Sequence, residues 1–202
     1  MHIFFIRHGE TTGDVENRYG GTYDDHLSEK GVEQVGALAE ALRGKGIQTI
    51  FSSPLIRAQE TSQLLAGALD CPVQTIADLR ERNQYSFLSG MKKDEALERY
   101  PQEVELLKNR YNTIAGAESY EDFSARIAEV FRSIASTVEH ESIAMVSHGG
   151  PVRVLFRDIL QWGEMKEIGD CAFVELQKTG DTYSYITSSG LVPAFGFEEH
   201  TV

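Results

Sequence analysis

The chain has 202 residues, 41% of them hydrophobic and 25% charged, with a formal net charge of −12. Such a length predicts a single domain, residues 1–202, able to bury a full core without disulfide staples. The acidic balance argues against broad binding to nucleic acid or an anionic membrane, so an anionic ligand would need positive charge focused in one cleft. Two cysteines, Cys71 and Cys171, fit no metal or redox spacing and read as reduced, packed thiols of a cytoplasmic protein. No apolar run approaches a membrane span, and the opening residues do not read as a secretory leader.

In chain order, Ile3-Phe4-Phe5-Ile6 predicts a strand buried on both faces, because four successive β-branched or aromatic residues suit the middle of a sheet. Arg7, His8 and Gly9 follow where open α/β sheets place their chemistry, just past a strand's carboxyl end. Residues 13–30 form a polar, glycine-containing loop, long enough to suggest a functional role. Its Gly20-Gly21 pair could bring backbone N–H groups close to a ligand. Ser28 can cap a helix with Val32, Val35, Leu38, Ala39 and Leu42 on its buried face, closed by Gly44 and Gly46. A second strand over residues 47–51 leads into Ser52-Ser53-Pro54, with Pro54 suited to a first helical turn. The next helix carries Leu55, Ala58, Ser62, Leu65 and Leu69 on one face, and Arg57 falls in its first turn. A cation there opposes the helix dipole, so Arg57 suggests a purpose other than helix stability.

A short strand over 72–76 precedes Leu79-Arg80-Glu81-Arg82. Residues 83–118 make an excursion that reads as a lid or specificity segment, with helices over 93–99 and 102–111 separated at Tyr100-Pro101. Ser119 caps a long helix over 120–139 whose apolar face is Phe123, Ile127, Val130, Ile134 and Val138. Ile143 to Val146 repeats the opening pattern: a buried strand, then Ser147, His148, Gly149 and Gly150, then a helix. Strands over 171–177 and 182–187 form a hairpin, and the last dozen residues carry no pattern. The alternation predicts an α/β fold, a three-layer α/β/α sandwich around a largely parallel sheet.

Four strand ends thus carry Arg7 and His8, Arg57, Glu81, and His148. Two guanidiniums and a histidine offer donors to an anion with several oxygens; a second histidine offers a nucleophilic nitrogen; one carboxyl group could move a proton. No cysteine cluster or helical pair of histidines suggests a metal, and the glycines lack nucleotide-binding spacing. The combination points to phosphoryl transfer with side-chain cations in place of a metal, and with no cofactor.

The ordered blocks Arg7-His8-Gly9-Glu10-Thr11, Ser52 through Thr61, Leu79-Arg80-Glu81-Arg82 and Val146 through Pro151 resemble the histidine phosphatase superfamily, which includes cofactor-dependent phosphoglycerate mutases. The resemblance spans roughly residues 1–160. It implies a phosphoglycerate mutase-like fold and a phosphohistidine on His8. Arg7, Arg57, His148 and the backbone of Gly149 would hold the phosphoryl oxygens, with Glu81 as proton donor and then acceptor. Asp14 stands where members commonly have asparagine, and an ionised carboxylate there would repel phosphate unless it faces elsewhere. Asp14, Gly20, Gly21, Arg82 and Lys92 (or Lys93) remain candidates for contacting the rest of the substrate. The chain is shorter than typical mutases, lacks their paired arginines and has Gly150 where they usually have asparagine. The expected function is therefore hydrolysis of a small phosphorylated metabolite. A phosphoglycerate mutase is the alternative; a protein phosphatase or a non-catalytic regulatory binding protein is less favoured. The sequence leaves the oligomeric state open, a homodimer included.

Overall fold

The computed structural model describes residues 1–194, and residues 195–202 lie outside the described residues. The described elements run β1 (His2–Arg7), α1 (Thr12–Val15), α2 (Glu29–Leu42), β2 (Thr49–Ser52), α3 (Ile56–Leu69), β3 (Val73–Thr75), α4 (Lys93–Arg99) and α5 (Pro101–Leu106). Then follow α6 (Tyr120–Thr137), β4 (Ser142–Ser147), α7 (Gly149–Val154), β5 (Met165–Thr179) and β6 (Thr182–Pro193). One six-stranded sheet has the order β3-β2-β4-β1-β5-β6. The first four strands are parallel, and β5 and β6 add an antiparallel hairpin at one side.

Strand β1 sits inside the sheet, between β4 and β5, so both its faces must be covered. Ile3 and Phe5 point into one core with Phe131 and Ile134 of α6 and Val152 of α7. Phe4 and Ile6 point the other way, onto Val35 and Leu38 of α2 and Ala58 and Leu65 of α3. The period of two along the strand thus builds two cores, one on each face, and the three layers expected from the sequence. β1, β2 and β4 all end at the same edge, where His8, Ser53 and His148 emerge.

Several predicted elements differ in detail. The buried stripe of α2 runs through Gly31, Val35, Leu38, Ala39 and Leu42, while Val32 is 46% exposed. Gly31 takes the inward place because the backbone of Glu10 crosses directly over it: a Cβ on Gly31 would lie 2.1 Å from the Glu10 carbonyl oxygen. Pro54 lies outside α3, whose N-cap is Leu55; with no capping side chain of its own, the helix takes Asp24 Oδ1 as acceptor for the Ile56 N–H at 2.7 Å. Helix α5 begins at Pro101 and stops at Leu106, short of Tyr111, because it buries no side chain that could hold a further turn. The hairpin is longer than expected at both ends. Its alternation is hidden by a bulge between Ile168 and Phe173, where Cys171 adopts φ 54° and its N–H bonds the His8 carbonyl at 3.1 Å.

Glu10, inside the signature block, serves the fold rather than the chemistry. Its carboxylate accepts Ser28 Oγ at 2.8 Å and Lys30 Nζ at 2.6 Å, which hold it below the usual carboxylate range. Its backbone binds Ser28 N and Gln34 Oε1, so the loop carrying His8 is stapled to the start of α2. The close approach at Gly31 gives a direct test. Gly36, in the same helix, has open space at its Cβ position. Gly36→Ala is expected to raise the thermal midpoint by a few degrees through about 1 kcal/mol of helix propensity. Gly31→Ala is expected to lower it, since overpacking against backbone costs roughly 1–3 kcal/mol beyond that gain. Equal midpoints for the two variants in a thermal melt would contradict the described packing.

Candidate active site

The carboxyl edge of the sheet opens into a cavity of about 200 Å³ lined by Arg7 and His8, residues of the loop between Thr11 and Asp25, Arg57, Glu81, Gln84 and Tyr85, and Gly149, with Lys93 at the rim. His8 is 5% exposed. Its Nδ1 lies 2.7 Å from the Gly9 carbonyl oxygen, and its Nε2 lies 3.1 Å from Arg57 Nε. A carbonyl can only accept and a guanidinium can only donate. The two contacts together place the proton on Nδ1 and the lone pair on Nε2. Burial, reinforced by the charges of Arg57 and then Arg7, holds the ring's pKa well below its ordinary value and keeps it neutral.

Arg57 is 3% exposed and is anchored on every side. Nη1 donates to the Tyr23 carbonyl at 2.6 Å and to Asp25 Oδ1 at 2.9 Å; Nη2 donates to the Gly21 carbonyl at 2.8 Å. Of its five N–H groups, one on Nη2 stays available for an anion. Asp25, buried as deeply, also accepts the Gly13 N–H at 3.2 Å, so it ties Arg57 to the first turn of α1. The polar loop after His8 is therefore shaped around the Arg57 guanidinium, which explains a cation at a helix start. Arg7 is held from the opposite side by the β5 bulge: Nη1 donates to the Ile168 carbonyl at 2.6 Å and Nη2 pairs with Asp170 Oδ1 at 3.0 Å.

His148 is wholly buried behind His8, the two rings 5.0 Å apart, and is not itself on the cavity wall. Its Nε2 lies 2.7 Å from Ser53 Oγ, and its Nδ1 has no protein partner. Burial and the nearby Arg57 lower its pKa well below the ordinary value, so it too is neutral. Glu81 is fixed by two backbone amides, Arg82 N–H on Oε1 at 2.7 Å and Gly150 N–H on Oε2 at 2.9 Å. A Cβ at Gly150 would stand 2.1 Å from Oε1, so a side chain here would oblige the carboxylate to shift.

Asp14 lines the cavity, but Oδ2 turns back to accept both Thr11 N–H at 3.1 Å and Thr11 Oγ1 at 3.0 Å, closing a capping box on α1. Gly20 and Gly21 line the cavity. Lys92 does not: the rim cation is Lys93, because Lys92 is committed through its backbone to a bridge with Arg18 and precedes α4 as its N-cap. Arg82 also stays off this cavity. It is buried, donating to the carbonyls of Glu118 at 3.0 Å and Arg110 at 2.8 Å, where it pins the ends of the 83–118 segment. That segment has its own small core of Leu88, Ala96 and Ile114. Thr11, Arg18, Tyr19, Asp25 and Tyr85 also line the cavity, and Asp170 holds Arg7, none of them among the expected site residues. No local periodicity marks them, although Thr11 closes the first signature block.

A family model described as the histidine phosphatase superfamily, branch 1, matches residues 3–185. A metal-independent phosphoserine phosphatase of Arabidopsis thaliana is 33% identical over 165 residues, covering 79% of this chain and 68% of that protein. A 2,3-bisphosphoglycerate-dependent phosphoglycerate mutase of Beijerinckia indica is 32% identical over 162 residues, covering 76% and 78%. Among solved structures, Bacillus stearothermophilus YhfR superposes with a TM-score of 0.83 at 24% identity, covering 91% of this chain and 94% of that one. That likeness speaks for the fold, the matches in sequence for the lineage. The chain belongs to the histidine phosphatase superfamily.

Proposed function

We propose that the protein hydrolyses a small-molecule phosphomonoester through a phosphohistidine on Nε2 of His8, without a metal ion. The observation that carries this reading is the fixed tautomer of His8: a neutral imidazole whose lone pair on Nε2 meets only cationic donors. A phosphoryl group entering beside Arg57 displaces one hydrogen bond and meets the free N–H on Nη2. Arg7, held by Asp170, supplies a second guanidinium. Nε2 attacks phosphorus while the ester P–O bond breaks, and Glu81, as the acid, gives its proton to the departing oxygen. In the second step Glu81, now a carboxylate, takes a proton from the water that attacks the phosphohistidine, releasing phosphate and restoring both groups. The 83–118 segment, which supplies Gln84, Tyr85 and Lys93 to the cavity, sets which ester fits.

The named relatives include both phosphatases and mutases. Hydrolysis is favoured by Gly150, whose amide is spent on Glu81 and which offers no side chain to retain a second phosphate. The deciding assay gives the protein 3-phosphoglycerate with catalytic bisphosphoglycerate and scores phosphate release against isomerisation, beside a panel of phosphorylated metabolites. Release exceeding isomerisation at least tenfold on the preferred substrates is the expected result. Efficient isomerisation with little release would establish the mutase reading instead.

A further inference from the structure

Beyond Glu81 lies a second, larger cavity of about 480 Å³, which shares Glu81, Gln84, Tyr85 and Gly149 with the first. The two hollows therefore adjoin across the carboxylate that faces the leaving oxygen in the reading above. What lies past Glu81 is the place for the leaving group.

The walls of this second hollow carry four arginines, Arg82, Arg110, Arg153 and Arg157, in a protein whose formal net charge is −12. Only two carboxylates share the lining, Glu81 and Glu164. Arg82 and Arg153 donate to backbone carbonyls, those of Glu118, Arg110 and Met165, which carry no neutralising charge. Arg157 takes both oxygens of Glu164, at 2.6 and 3.0 Å, and meets Asp158 at 3.4 Å. Arg110 must share the same Glu164: its Nη1 lies 2.7 Å from Oε2, yet that buried nitrogen has no aligned hydrogen bond. Tyr120 and Phe123 give the hollow an aromatic wall, with the Arg157 guanidinium stacked 4.9 Å from the Tyr120 ring. Four guanidiniums against two lining carboxylates leave the hollow with an excess of positive charge and of forked N–H donors, which suits an anion.

We propose that this arginine-lined cavity binds an anionic group on the leaving-group side of the substrate, so that the preferred esters carry a carboxylate or second phosphate beside the phosphate that is cleaved. The inference rests on the proposed phosphatase reaction and narrows its substrate class. Both anions present a pair of oxygens that a guanidinium fork can take, and the choice of substrates separates them.

The test uses matched esters. For the carboxylate, 3-phosphoglycerate is compared with glycerol 3-phosphate; for the phosphate, fructose 1,6-bisphosphate is compared with fructose 6-phosphate. In the unaltered protein kcat/KM is expected to favour at least one anionic member by roughly tenfold or more. The double variant Arg110→Gln/Arg153→Gln should erase that preference and keep turnover of the neutral members, while Arg110→Lys/Arg153→Lys should restore part of it. No preference in the unaltered protein, or the same preference in the glutamine variant, overturns the subsite. If no ester is turned over at all, the phosphatase reading fails separately. The subsite is then still decided by calorimetry in a His8→Ala background, where equal binding of both anionic probes with and without the two glutamines rejects it.

Discussion

His8→Ala is expected to lower turnover by about four orders of magnitude or more while the protein stays folded. The whole proposed reaction passes through one atom, Nε2, the unprotonated nitrogen of the histidine that lines the cavity. His148 cannot substitute, because it lies behind His8 and its Nε2 is occupied by Ser53. Rapid quench into base with a labelled substrate should trap phosphate on His8. Label on another residue, or near-normal turnover in His8→Ala, would refute the assignment. The pH profile carries a second signature. Since burial and two arginines hold the ring neutral, kcat/KM should show no break near 6.5, the ordinary histidine value, and its histidine limb should fall at lower pH. Stability follows the same sign. Below about pH 6.5 the unfolded chain takes up protons at His8 and His148 that the folded protein refuses. Stability therefore falls with pH through that window, by up to about 1.4 kcal/mol per pH unit for each ring. His8→Ala should remove one ring's share of the slope in denaturant titrations; an unchanged slope would mean that the ring is charged or exposed.

Arg57→Met is expected to cost both activity and stability, for separable reasons. Activity should fall by about a thousandfold, because the guanidinium orients the Nε2 lone pair and meets the phosphoryl oxygens. Stability should fall by roughly 3–5 kcal/mol, because Asp25 is left as a buried, unpaired carboxylate and the Gly21 and Tyr23 carbonyls lose their donor. Adding Asp25→Asn removes the stranded charge, so the double variant should recover a large part of the stability and none of the activity. Arg57→Lys should remain poorly active, since a single ammonium cannot span acceptors on His8, Gly21, Tyr23 and Asp25 at once. Identical denaturation midpoints for the single and double variants would show that Asp25 is not paired as described.

The sequence by itself determined what depends on neighbours along the chain. Runs such as Ile3 to Ile6 and Ile143 to Val146 read as strands buried on both faces, although β1 pairs parallel with β4 and antiparallel with β5. The stripes on α2 and α6, and the serine caps at Ser28 and Ser119, follow from short-range spacing. The residues with chemistry were legible for a related reason: each follows a strand end, where the backbone leaves the sheet and must turn. Their convergence was an expectation carried by resemblance, and the structure supplies its distances. What the tertiary structure alone decided concerns partners far apart in sequence. Asp25 meets Arg57 across 32 residues, Ile168 meets Arg7 across 161, and Ser53 meets His148 across 95. Side-chain orientation at loops was also undecidable locally. The carboxylate of Asp14 turns to cap α1 rather than to face phosphate, Lys93 rather than Lys92 reaches the cavity, and Arg82 clamps backbone carbonyls instead of the first cavity. A loop residue has no periodicity to set its direction; only the packing of distant backbone, such as Glu10 over Gly31 or the β5 bulge over His8, does that.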